Sequence, residues 1–115
     1  MLAIGELVLG QGRYHGQQVV SSAWVEAATR AQVSTGANGL SHGSGYGYGW
    51  WVGQGAAGTV VFATGWGGQF IVVVPATRVV VVATSQWRGV ATAEAQGNWS
   101  RVSELIWTRV LPLFQ

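Results

Sequence analysis

Two apolar runs, Phe70 to Ala76 and Val79 to Ala83, parted only by Thr77 and Arg78, constrain this chain more than any other feature. Both are short and rich in β-branched valine, which favours strand over helix. They read as a hairpin, Gln69 to Val74 and Val79 to Thr84, turning at Pro75-Ala76-Thr77-Arg78, where proline fixes φ. Neither strand alternates apolar with polar residues, so both faces of the sheet they build need cover. The hairpin is entered through Gly65-Trp66-Gly67-Gly68. A glycine corner feeding a buried strand lets a substrate approach the backbone, because no Cβ stands in the way. The corner therefore reads as one edge of an active site.

The remaining elements follow from punctuation and periodicity. Met1 to Leu9 reads as an apolar helix stopped by Gly10 and Gly12, with no visible N-cap, as though the chain were entered inside an element. After a polar turn around Gly16, Ser21 or Ser22 caps a helix from about Ala23 to Arg30. Gln32 to Ser44 has the composition of a surface loop. Tyr46 to Val52 alternates with period two, which places Tyr46, Tyr48, Trp50 and Val52 on one strand face, and Thr59 to Ala63 reads as its neighbour across a turn at Gly53 to Gly58. Ser85 to Gly97 reads as a polar link. Asn98 then caps a last helix to about Val110, with Trp99, Val102, Ile106 and Val110 on one stripe and Pro112 as its stop. The expectation is an α+β fold: an antiparallel sheet of about four strands with flanking helices, over a single unit spanning residues 1–115. One helix shields one sheet face, and few elements are left for the other. The chain is thus expected to be part of a larger domain or to self-associate through an uncovered sheet face.

Composition narrows the function. Charged residues make up 9% and hydrophobic residues 49% of the chain, against about 25% charged in an ordinary soluble domain, so much of the surface expects cover. The net charge of +2 comes from six dispersed arginines and four glutamates, which provides no basic stripe for nucleic acid. There is no cysteine, so disulfides and thiolate chemistry are out, and no cofactor motif is present. No apolar run approaches the roughly 20 residues of a membrane-spanning helix. The N-terminus carries no export signal, which makes a cytoplasmic location the default, with a periplasmic or secreted parent protein as the alternative. His15 and His42 have no ligand-like spacing to one another or to a glutamate, and no metal site is expected; both read as residues of solvated turns, His42 in a loop that could border a cleft.

Tyr46-Gly47-Tyr48-Gly49-Trp50-Trp51, then Gly65-Trp66-Gly67-Gly68-Gln69-Phe70-Ile71, then the valine hairpin ending at Thr84-Ser85, resemble in order and spacing the C-terminal region of the serine β-lactamase-like hydrolases. That family holds class C β-lactamases, DD-peptidases and related esterases. The resemblance runs from about Ile4 to the C-terminus. It implies an acyl-enzyme mechanism whose nucleophilic serine and lysine sit in Ser-x-x-Lys, with a tyrosine in Tyr-x-Asn and a third motif on the sheet-edge strand. Only the third has a counterpart here: Trp66-Gly67-Gly68 falls where lactamases carry Lys-Thr-Gly, as in the esterase-like members. The resemblance makes Trp66, Gly67, Gly68 and Gln69 the oxyanion and substrate-binding residues, with the backbone N–H of Gln69 as one oxyanion donor.

No catalytic residue is assigned within the chain. Without lysine or aspartate, no serine has the adjacent base that would make it a nucleophile in the manner of these enzymes or of a Ser-His-Asp triad. Ser21, Ser22, Ser41, Ser44, Ser85 and Ser100 read as caps, turns or loop polar groups. Two functions are left standing. In one, the chain is the C-terminal portion of a serine hydrolase acting on a small-molecule ester or amide, inactive alone. In the other, Tyr46, Tyr48 and Trp50 form an aromatic face of a non-catalytic module that binds a glycan or a protein partner, against the plainer reading of those rings as core.

Overall fold

The computed structural model describes residues 1–36 and 42–114. Helix α1 (Leu2–Leu9) is followed by a small hairpin, β1 (Arg13–Tyr14) and β2 (Gln17–Gln18), and by α2 (Ser22–Ala28). The main sheet is then laid down in chain order by β3 (Val33–Ser34), β4 (Gly45–Tyr46), β5 (Trp51–Gly55), β6 (Gly58–Gly65), β7 (Gln69–Val74) and β8 (Val79–Ala83). Its order is β3-β4-β5-β6-β7-β8, antiparallel throughout. Helix α3 (Thr92–Leu105) closes the fold and runs into a π-helical turn at Ile106–Val110 and a 3₁₀ turn at Leu111–Phe114. No helix among the described residues is long and apolar enough to cross a membrane.

The α+β class holds, with six strands in the main sheet among the described residues instead of about four. The additional count comes from two-residue strands, too short to show a period. Residues 46–52 are not one strand: β4 ends at Tyr46, the Gly47 N–H donates to the Trp50 carbonyl at 2.8 Å, and β5 starts at Trp51. The aromatic face expected on that strand does not form. Tyr46 meets Trp51 edge-on, Tyr48 stacks on Trp24 of α2, and Trp50 packs into the core below α2. Part of the loop expected at 32–44, residues 37–41 including Ser41, lies outside the described residues.

The valine hairpin forms as expected, Val74 opposite Val79 across a 3₁₀ turn at Pro75–Thr77. Its side chains divide by parity into two cores. Val60, Phe62, Phe70, Val72 and Val74 face Ile106 and Leu111, with Trp99, Val102 and Trp107 packed around them. Val61, Ile71 and Val73 face Val8 and Val25, together with Leu9, Val20 and Val80. The second face of β7 is therefore not uncovered, because α1 lies across β7 and β8 and α2 beside it, leaving Val73 at 0% exposure. The eight residues of α1 suffice because they lie across β7 and β8, the two strands of the hairpin that are apolar on both sides.

Two helix boundaries differ in instructive ways. Helix α2 is capped as expected, the Ser21 Oγ accepting from the Trp24 N–H at 3.2 Å. Helix α3 instead begins at Thr92, and Asn98 lies inside it as the acceptor of a hydrogen bond from the Arg101 guanidinium. Ala93, Glu94, Ala95 and Gln96 are good helix formers, and the single Gly97 costs too little to stop them. At the other end the π turn adds a residue, so that Leu111, and not Val110, follows Ile106 into the core.

Candidate functional site

The corner between β6 and β7 is set by strand register: Thr64 pairs with Phe70 and Gly65 with Gln69, leaving Trp66, Gly67 and Gly68 as the connection. Gly67 and Gly68 have φ of +75° and +94°, a region that residues with a Cβ rarely enter. Space forbids a side chain as well. A Cβ on Gly67 would stand 2.6 Å from the Trp87 Cβ, and one on Gly68 would stand 2.9 Å from the Ser85 Oγ and 3.2 Å from the Asn98 carbonyl oxygen. Both glycines are buried, so the backbone is packed from behind by the segment after β8 and by α3.

The Gln69 side chain has a role that its sequence position did not reveal. Its Nε2 donates to the Ser85 carbonyl at 2.8 Å, its Oε1 accepts from the Ser85 N–H at 3.4 Å, and the Ser85 Oγ donates to the Gly68 carbonyl at 3.3 Å. The amide imitates a peptide group and continues the β7–β8 ladder beyond its last pair, Phe70 with Ala83. The corner is thereby clamped on a rigid element, which is what a precise backbone donor requires. The strand carrying it is an interior one. The sheet-edge position expected for this motif belongs to β8, which the tight Pro75 turn folds back against β7.

In front of the corner lies an open groove of about 310 Å³ lined by Thr64, Gly65, Trp66, Gly67, Gln96 and Trp99. Trp66 is 51% exposed, with glycines on either side and no bulky sequence neighbour to lean on. Trp99 is held in place: its indole N–H donates to the Thr64 Oγ1, and its ring lies 5.7 Å from that of Phe70. Of the four residues singled out in the sequence, Trp66 and Gly67 line the groove, while Gly68 and Gln69 do not and form the clamped turn beside it. Gln96, Trp99 and Ser85 were missed as site residues. Gln96 became visible only once α3 started before it, Trp99 only once its indole met Thr64 beside the corner, and Ser85 only once the hairpin register had brought it beside Gln69.

Ionisable groups are scarce around this site. None of the six lining residues is charged. His15 is exposed in the β1–β2 turn and stacks on Tyr14. His42 is not in a solvated turn: it is half-buried, stacked on Trp107 at 4.4 Å, and burial holds its pKa below the ordinary value. No group of three metal-ligating side chains exists among the described residues. Ser85 faces a carbonyl and an amide, with no base.

No curated protein matches this chain. A family model described as Beta-lactamase matches residues 3–105, a span that takes in α1, α2, the main sheet with its glycine corner and α3. Its order of elements and that match together place the chain in the Beta-lactamase family.

Proposed function

We propose that this chain is the C-terminal portion of a serine hydrolase domain, over residues 1–115, that cleaves a small-molecule ester or amide through an acyl-enzyme. The nucleophile and its base come from polypeptide carrying Ser-x-x-Lys and Tyr-x-Asn. The serine Oγ adds to the scissile carbonyl as the base takes its proton. The oxyanion so formed is held by the nucleophile's own N–H and the backbone N–H of Gln69. Collapse of the adduct expels the alcohol or amine with the proton, and water then releases the acid from the serine. Losing one such donor typically costs about a hundred- to thousandfold in rate.

The observation that carries this reading is the buried Gly67-Gly68 turn, clamped by Gln69 and Ser85 and opening on a groove, in a chain of the Beta-lactamase family. A second feature supports the need for more polypeptide. Helix α1 is apolar nearly all round, and its outer residues Leu2 and Ile4 are exposed, Ile4 in a groove it shares with Trp24 of α2. A helix of that composition ordinarily has cover on both sides. An ester-hydrolysis assay decides the matter: the chain alone is expected to be inactive, and co-expression with an upstream Ser-x-x-Lys and Tyr-x-Asn fragment is expected to give turnover. Absence of turnover in a folded mixture refutes the proposal.

A further inference from the structure

We propose that the groove between Trp66 and Trp99 seats an uncharged apolar group of the substrate, an aromatic ring in the first instance, and discriminates against carboxylates. This rests on the hydrolase reading for its biological meaning but on the groove alone for its chemistry. The two indoles and the backbone of Gly65 and Gly67 supply the walls, and Thr64 and Gln96 are the polar members. The Thr64 hydroxyl oxygen is already engaged by the Trp99 N–H, which fixes one wall at a set angle. Trp66 presents half of its surface to water, and a ring lying against it removes apolar area from solvent on both partners.

An anion finds no ion-pair partner in return for its lost hydration there, because no cation lines the groove. Arg101, on the same helix as Trp99, is hydrogen-bonded to the Asn98 Oδ1, and Arg88 lies over the Trp87 ring at 5.5 Å. Gly67 also stands two residues before Gln69, at most about 7 Å along the chain, so a ring in the groove leaves an attached carbonyl within reach of the corner.

Benzyl alcohol and benzoate, alike in ring and opposite in charge, test this on the isolated chain by indole and amide NMR shifts. Benzyl alcohol is expected to shift the Trp66 indole and Gly67 amide signals saturably, with benzoate at least about fivefold weaker. Trp66→Ala, at an exposed position, is expected to weaken benzyl alcohol by a similar factor. Trp66→Lys is expected to reverse the order of the two ligands. Equal affinity for both, no binding, or shifts centred on Trp24 in the separate apolar groove between α1 and α2 overturns the inference. No turnover enters this measurement, so its failure is distinct from failure of the fragment-complementation assay.

Discussion

Gly68 has the larger positive φ of the two corner glycines, +94° against +75°, and its substitution tests backbone strain and close packing together. Gly68→Ala meets both the positive φ and the fixed Asn98 carbonyl, and is expected to cost about 1–3 kcal/mol in chemical denaturation. A neutral result there refutes the corner geometry. His42 offers a second test. Its folded pKa is lowered by burial while the unfolded chain keeps the ordinary value of 6.5, so below that pH the unfolded state binds the proton more readily than the native one. Stability is therefore expected to fall as pH drops through the region below 6.5 and to be insensitive to this residue above it. Thermal melts of His42→Gln should show a flatter acid limb than the parent chain, and identical limbs would remove the burial argument.

At the scale of elements, legibility followed the length of the pattern. The β7–β8 hairpin could be placed from sequence because long valine runs and a proline turn point the same way. Helix α2 could be placed because Ser21 caps it. The two-residue strands β3 and β4 carry no period at all, and the alternation of Tyr46 to Val52 is broken by a turn that the glycines permit but do not announce. The end of α3 is the most specific case. A straight α-helix would bury Val110, whereas the π turn buries Leu111 in its place. Leu111→Ala is expected to cost about 2–5 kcal/mol and Val110→Ala under about 1 kcal/mol in urea unfolding. Equal costs, or the reverse order, refute the π turn.

Over the whole molecule, β7 is the shared wall of two cores, with Val72 facing the α3 side and Val73 the α1 and α2 side. Neither core is complete without that strand, so the two are expected to melt together. Far-ultraviolet circular dichroism and tryptophan fluorescence should give coincident transitions, and Val72→Ala and Val73→Ala should each shift both probes equally. Separate transitions would show that the helical layers are independent.

The sequence by itself determined the α+β class, the valine hairpin with its proline turn, and the glycine corner, because β-branched runs, proline and paired glycines each bias the backbone locally and here all point the same way. It also determined that the chain lacks a lysine or aspartate to activate a serine, which is a matter of residue types alone. Only the tertiary structure decided that α1 covers the second face of the sheet, that the motif strand is interior, that the tyrosines share no platform, and that Gln96 and Trp99 complete a groove with Trp66. Those outcomes depend on register and on which helix reaches which face, and such long-range geometry is set by the packing of both cores at once.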